Sequence, residues 1–446
     1  MNERESHHLA DGAARRHQRD TPGKSRLAIS NWSPPDMKNL REVIRVNDEG
    51  DELWIPNDDT DDPEISIVIP ALNERITIGD FVDWCKEGLS KGNVKGEVLI
   101  IDSSSDETPY IALERGARVL KTSKRGLGRA YIDSLPHIRG KYVLLGDCDC
   151  TYDFRDISLF VESFRQGYEY IMGTRFKGKI EDGAMPALHR YFGTPLTTWI
   201  LNFIYKSKFS DIHCGMRGIT KDALIRMDLH SQSWEYASEM IIKSIHMGLK
   251  TTEIPITFWK DREGRRSHLT RNWYTPWYSG WINLRAIFIY KADFFLFVPG
   301  IFLAILGLLL VLPISLGPLS LGPVKLSIYG MLFGLVIAIL GIQSFLMGIV
   351  AKAIYDYTGE KTKRWLKVFG YTRTTLLSSM MFVLGVLMTT FLISDYFKYG
   401  LTLPYGMKRQ YYLAVTGLLF IITAFMLFTF TLLLHTVSIY VKRKRS

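Results

Sequence analysis

Tyr142-Val143-Leu144-Leu145-Gly146-Asp147-Cys148-Asp149-Cys150-Thr151 joins an apolar run to two carboxylates separated by one residue. Tyr142 to Leu145 reads as a buried strand, so Asp147 and Asp149 emerge together at its carboxyl end. In open α/β sheets that edge is where ligands bind. Two acids so close repel each other unless a cation sits between them. A hard, oxygen-seeking ion such as Mg²⁺ or Mn²⁺, itself holding a diphosphate, meets that need. Taken alone, the pair reads more readily as a polar turn after a strand. Its neighbours reverse that reading.

Upstream, strands and helices alternate. Ile65-Ser66-Ile67-Val68-Ile69-Pro70 is a strand with a proline stop, and Thr77 to Glu87 reads as a helix. Glu97 to Asp102 is a second strand that again ends on an acid. Thr108 to Arg115 is helical, Ala117 to Lys121 is a short strand, and Gly128 to Leu135 opens another helix. Repeated β-α-β units predict a mostly parallel sheet. Residues 1–62 are polar with an acidic stretch around Asp58 to Asp62, and predict a disordered extension with one short helix near Met37 to Val46. The four cysteines have no spacing of a disulfide framework, and Cys148 and Cys150 lack the second pair or the histidines of a zinc site.

The second half of the chain is different in kind. Apolar segments at about 294–314, 328–350, 376–394 and 412–435 approach or exceed the roughly 20 residues that span hydrocarbon. The connector after the second span carries Lys352, Lys361, Lys363, Arg364, Lys367 and Arg373, and residues 442–446 form a basic tail. The other two connectors are poor in basic residues. The positive-inside rule therefore places the α/β domain (63–270) and both termini in the cytoplasm, at the plasma membrane if the source is prokaryotic. Residues 271–293, with Trp273, Trp277 and Trp281 followed by Arg285 and Lys291, suit a helix lying in the membrane interface. The formal net charge of +10 is modest for 446 residues, and no nucleic-acid partner is expected.

Three further segments carry chemistry. Asp102 opens Asp102-Ser103-Ser104-Ser105-Asp106-Glu107-Thr108, where a carboxylate can accept hydrogen bonds from a ribose or a base N–H. The serines also suit helix capping. Pro70-Ala71-Leu72-Asn73-Glu74 stands on the other side of the same edge. Lys124-Arg125-Gly126-Leu127-Gly128-Arg129 puts cations and pliant backbone before a helix N-terminus, which favours phosphate.

Together these segments resemble the family-2 glycosyltransferases with a GT-A nucleotide-sugar domain. The closer match is to dolichol-phosphate mannose synthase and the polyprenyl-phosphate glycosyltransferases. The resemblance runs from about Ile65 to Leu269. It takes in Met172-Gly173-Thr174-Arg175, Ser210-Asp211-Ile212-His213-Cys214-Gly215-Met216-Arg217 and Glu239 as well as the motifs above. It implies an α/β GT-A (Rossmann-like) domain followed by interfacial helices and a four-helix transmembrane domain. It also implies an inverting transferase that moves a hexose from a nucleotide diphosphate sugar to a polyprenyl or dolichyl phosphate, with Mg²⁺ or Mn²⁺. Nucleotide-sugar contacts would come from Pro70, Ala71, Asn73, Glu74, Asp102, Ser104, Gly126, Gly128, Asp147 and Cys148, and metal contacts from Asp147 and Asp149. Asp149, Arg175 and Glu239 would serve catalysis. The acceptor phosphate would meet Arg175, Arg262, Arg265, Arg266 and Ser267. Thr151 stands where some relatives have a glutamine ligand, which leaves a third protein ligand open, as is assembly into a homo-oligomer.

Two other readings fit less well. A processive polysaccharide synthase would carry Q-x-x-R-W, whereas Lys361-Thr362-Lys363-Arg364-Trp365 lacks the glutamine, and no T-E-D occurs. A transporter or flippase would place charge within its spans, and the centres of these four hold no acidic or basic residue.

Overall fold

The computed structural model describes residues 37–123, 125–265, 275–356, 359–402 and 409–445. The chain opens with a hairpin of Leu40–Arg45 (β1) and Glu52–Pro56 (β2), followed by Ile65–Ala71 (β3), Ile78–Lys91 (α1) and Gly96–Asp102 (β4). Thr108–Glu114 (α2), Arg118–Lys121 (β5), Leu127–Ser134 (α3) and Tyr142–Leu145 (β6) come next. Ser158–Arg165 (α4), Tyr170–Ile180 (β7), Thr194–Tyr205 (α5), Arg217–Thr220 (β8), Lys221–Met227 (α6), Tyr236–His246 (α7) and Thr251–Phe258 (β9) complete the α/β part. Among the described residues nine strands form one sheet in the order β1-β2-β5-β4-β3-β6-β8-β7-β9.

The centre of this sheet is parallel. Ile65, Ile67, Val68 and Ile69 of β3 are fully buried, the pattern of a strand covered on both faces. In register, Ala71 lies beside Asp102 on β4, and Val68 beside Leu145 on β6. Chain order runs outward from β3 to β4 and β5, then returns to β6 on the other flank. The reversal opens a crevice at the carboxyl ends of β3, β4 and β6, where such sheets take ligands. This is a GT-A-like mixed sheet rather than the mostly parallel one expected. Four of its pairings (β1 with β2, β2 with β5, β6 with β8, β7 with β8) are antiparallel. The first two come from the β1-β2 hairpin laid along β5, and the last two from residues 181–216, which follow β7 at the crevice edge, so that β8 enters from that edge and runs backwards.

The short helix expected between residues 37 and 46 is strand β1. Leu53, Trp54 and Ile55 of β2 are buried, and Leu53 and Trp54 pair with Leu120 and Val119 of β5, which leaves β2 an edge for β1 to occupy. The Asn47 side chain accepts the backbone N–H groups of Glu49 and Asp51 and so folds the intervening turn. The sheet therefore begins ahead of residue 63.

Thr275–Tyr290 (α8) leads into Ala292–Ile314 (α9), Ile328–Ile354 (α10), Glu360–Val368 (α11), Tyr371–Lys398 (α12) and Arg409–Arg445 (α13). Among the described residues, α9, α10, α12 and residues 409–440 of α13 are long and apolar enough to cross a membrane. Phe302, Leu309, Met380, Phe391 and Phe425 are exposed, a surface that suits lipid and that water would not tolerate. Without a hydrophobic drive between helices in lipid, close backbone approach holds such pairs together. Gly300, Gly307 and Gly341 each bring α9 and α10 so near that a Cβ would strike the opposite backbone. Gly307→Leu is therefore expected to destabilise the pair by about 2 kcal/mol or more, read as a lower thermal midpoint of the detergent-solubilised protein with Gly280→Ala, an open position, as control.

Candidate active site

Asp102 closes β4 with its carboxylate buried. Oδ2 accepts Lys121 Nζ at 3.0 Å and the Ser104 backbone N–H at 3.2 Å. Oδ1 is equally buried and has no hydrogen-bond partner among the described residues. A bare acceptor of this kind costs about 1–3 kcal/mol, which an incoming N–H or O–H recovers. The neighbouring loops are tied to each other. The Asn73 backbone N–H donates to Ser104 Oγ at 2.7 Å, and Asn73 Oδ1 accepts the Ser105 N–H at 2.9 Å. Asn73 and Ser104 thus shape the rim with polar atoms already engaged. Cys148 turns back toward β3, where its thiol donates to the Pro70 carbonyl at 3.4 Å beside Ala71.

Asp147 and Asp149 stand at the end of β6, as the spacing predicts. Asp147 makes no hydrogen bond or ion pair among the described residues, and a Cβ on Gly215 would lie 2.5 Å from its Oδ2. Gly215 therefore sets the room beside this carboxylate. Gly215→Ala is expected to displace Asp147 and weaken divalent-ion binding about tenfold or more, measured by titration calorimetry. Asp149 is held differently. Its Oδ1 accepts both the backbone N–H of Thr151 at 3.0 Å and the Thr151 hydroxyl at 2.6 Å. Thr151 thus orients Asp149, and its hydroxyl hydrogen is committed there.

Across from the pair, Arg265 grips Glu74 at 2.7 and 2.8 Å, Asp261 at 2.6 Å and Asp149 Oδ2 at 3.3 Å. Burial, and then the charge of Asp149, pushes Asp147 up to about 7, while burial also raises Asp149. Among the described residues no three His, Cys, Asp or Glu side chains converge on a metal position. The donor set is instead two adjacent hard carboxylates, one of them unengaged. That fits an ion such as Mg²⁺, which takes one or two carboxylates and completes its shell with water and phosphate. Because an ion must displace the Asp147 proton, its affinity is expected to fall as pH drops from about 8 to about 6, read by calorimetry across that range.

The expected cations divide by role. Arg175 is buried against Asp211, with Nε to Oδ2 at 2.7 Å and Nη2 to Oδ1 at 2.8 Å, and this pairing holds the Asp211 carboxyl below its usual range despite burial. Arg262 lies over the Trp84 ring, reaches Asp80 at 3.3 Å on α1 and stands beside the Cys150 thiol. Arg266 and Ser267 lie outside the described residues. Glu239 is fully buried, paired with Lys243 at 2.5 Å and accepting the N–H groups of His230 and Ser231. It anchors the 230–233 loop, which accounts for Gly126 and Gly128. A Cβ on either would strike the carbonyls of Gln232 and Ser231, and Gly126 has φ +114°. These glycines admit that loop.

Residues 66–228 match the model for Glycosyl transferase family 2. An uncharacterized protein of Methanocaldococcus jannaschii is 31% identical over 202 residues, 43% of this chain and 80% of that one. This chain belongs to glycosyltransferase family 2. The low-salt glycan biosynthesis hexosyltransferase of Haloferax volcanii is 36% identical over 272 residues, which is 61% of this chain and 64% of that protein. The match thus spans less than two thirds of that relative's length. A dolichyl-phosphate hexose transferase of the same organism is 27% identical over 208 residues, 45% of this chain and 85% of the other.

Sequence reading of this family-2 chain missed three contributors. Asp261 braces Arg265, though nothing but its place just before the basic segment marks it. Tyr131 donates to the Gly146 carbonyl at 3.0 Å and so steadies the turn carrying Asp147. Arg217, quoted only as the end of a motif, is fully buried and donates to the carbonyls of Ile212, Cys214 and Ala237. Its charge draws Asp147 partly back down.

Proposed function

We propose that this chain is a membrane-anchored inverting hexosyltransferase. It moves a sugar from a nucleotide diphosphate sugar to a polyprenyl or dolichyl phosphate, on the cytoplasmic face. The observation that carries this reading is the crevice edge. There the bare Asp102 oxygen and the unengaged Asp147 carboxylate stand on strands that flank the same β3. A nucleoside needs an acceptor such as Asp102, and a diphosphate needs the ion that Asp147 and Asp149 would hold. The dolichyl-phosphate name of one Haloferax relative supports the lipid acceptor.

The residues then divide the work. A lipid monophosphate is largely dianionic at neutral pH, with a second pKa near 6, and is a competent nucleophile without a strong base. The engagement of Glu239 by Lys243 is consistent with that. Bound Mg²⁺ or Mn²⁺ would supply charge stabilisation to the leaving diphosphate. Arg265 lies against the same acids and is placed to transfer its grip from Asp149 to a phosphate oxygen. Arg175, fixed by Asp211, keeps a permanent positive charge near Tyr152, whose hydroxyl accepts the Gly215 N–H at 2.8 Å. On the outer surface Tyr191, Trp199 and Phe203 are 74%, 63% and 65% exposed, an apolar face along α5 and the turn before it, suited to the headgroup region. The interfacial surface would then include α5 as well as residues 271–293.

Membranes carrying the chain, incubated with radiolabelled nucleotide sugars, polyprenyl phosphate and Mn²⁺, are expected to form an organic-soluble labelled product. A long polymer insoluble in butanol, or no transfer from any donor, would overturn the assignment.

A further inference from the structure

Four lysines from four different elements meet where the α/β part joins the membrane helices. Lys206 follows α5, Lys291 immediately precedes α9, Lys352 lies in the last turn of α10, and Lys361 lies in the first turn of α11. Lys291 is within electrostatic reach of Lys206 and Lys361, and Lys352 of Lys291 and Lys361. Lys291 and Lys352 are half-buried while Lys206 and Lys361 are exposed, and like charges do not gather without something to gain. Aromatic rings lie against two of them. Lys291 Nζ lies 5.1 Å from the centre of the Tyr205 ring, and Lys352 Nζ 3.2 Å from that of Phe297. Phe297 in turn packs on Trp365 of α11, and Tyr290 on Tyr355. Tyr205 is pinned by its hydroxyl donating to the Ile287 carbonyl at 3.1 Å.

The countercharge is small. None of the four lysines forms an ion pair among the described residues. Asp293 is the carboxylate that Lys291 and Lys352 both feel. Asp356 is engaged in capping α11, accepting the Thr362 N–H and hydroxyl at 2.7 and 2.8 Å. Glu360 adjoins Lys361 at the exposed start of α11, and His246 is held down to about 4 by burial and then by Lys291 and Lys361, so it is neutral. Glu239 nearby is paired with Lys243. The result is an excess of positive charge.

Position selects the ligand. Lys291 begins the first candidate span and Lys352 ends the second, and Gly348 of α10 packs on Phe297 of α9. Both ammonium groups therefore lie at one membrane boundary, ringed by the Tyr, Phe and Trp side chains that mark such a level. Basic pockets between membrane helices at this depth suit anionic lipid head groups. We propose that Lys206, Lys291, Lys352 and Lys361 form a binding site for the phosphate head group of a membrane lipid. It shares no residue with the crevice at Asp102, Asp147 and Asp149. The site stands on the reading of α9 and α10 as spans and not on the transferase reading.

The test uses the full chain in neutral detergent, without nucleotide sugar. Phosphatidylglycerol, dolichyl phosphate or inorganic phosphate is titrated in, and bound lipid is counted by native mass spectrometry. Losing two of the four charges in Lys291→Gln/Lys361→Gln is expected to lower lipid affinity about thirtyfold. Lys291→Arg/Lys361→Arg should retain binding. Lys363→Gln/Lys367→Gln, an equal charge change on α11 at lysines whose charge does not act on Lys291, Lys352 or His246, should lower it less than about threefold. Whichever lipid the wild type holds identifies the source of the phosphate. Binding that survives in the cluster variant, equal loss in the Lys363/Lys367 control, or occupancy by inorganic phosphate alone would each overturn the proposal. Transfer activity is measured separately on the same preparations, so loss of the lipid site and loss of the transferase reading remain distinct.

Discussion

Asp149→Ala is expected to cut transfer to the lipid acceptor by about three orders of magnitude, the scale of a lost electrostatic stabiliser at a developing charge. Asp149 is oriented by both Thr151 bonds, and its other oxygen faces Arg265. Its removal therefore takes away half of the carboxylate pair and leaves Arg265 bound to Glu74 and Asp261 alone. Thr151→Ala keeps the charge and loses only a hydroxyl hydrogen bond, so it should cost about tenfold. That gradient is the discriminating result. Calorimetry with Mn²⁺ should show weak binding in Asp149→Ala and near-normal binding in Thr151→Ala. Equal activity in wild type and Asp149→Ala, with and without chelator, would remove the metal assignment.

Asp102→Asn should act on donor binding rather than on the chemical step. The substitution keeps the shape of the side chain, but it replaces a charged acceptor with an amide that has fewer lone pairs to offer. Hydrogen bonds to charged groups contribute about 1.5–3 kcal/mol, so KM for the nucleotide sugar should rise about ten- to hundredfold with kcat little changed. The Lys121 ion pair at 3.0 Å is lost in the same variant. Lys121→Met separates the two effects: it frees Oδ2 and leaves Oδ1 bare, so it should disturb folding stability more than donor KM. A variant Asp102→Asn that lowers kcat and leaves KM unchanged would show that this carboxylate does not hold the donor.

The parts of this molecule legible in the sequence are those written in local periodicity. Short apolar runs ending on an acid gave β4 with Asp102 and β6 with Asp147, because strands buried on both faces must be apolar and the first polar residue marks their end. Uniform apolar stretches gave the four candidate spans, since hydrocarbon tolerates little else. The hairpin at residues 40–56 was not legible: β1 mixes Leu40, Val43 and Ile44 with charged residues and is largely exposed, and it has its place because β2 offers it an edge. The antiparallel placement of β8 was equally hidden, since direction depends on where a long insertion delivers the chain.

The site divides along the same line. Sequence by itself determined which carboxylates stand at the crevice, because strand ends are set by residues next to one another. Only the tertiary structure decided what each charged group does once there. Arg265 meets Glu74 across 191 positions of chain, Arg175 meets Asp211 across 36, and Glu239 is engaged by Lys243 and the loop at 230–231. The family resemblance implies the acceptor phosphate for Arg265 and Arg175, the nucleotide sugar for Glu74 and catalysis for Arg175 and Glu239. In the structure Arg175 and Glu239 are committed to protein partners, while Arg265 stands against Asp149. The physical reason is that a buried charge must be paired wherever the fold brings a partner, and no local pattern records which distant residue that will be.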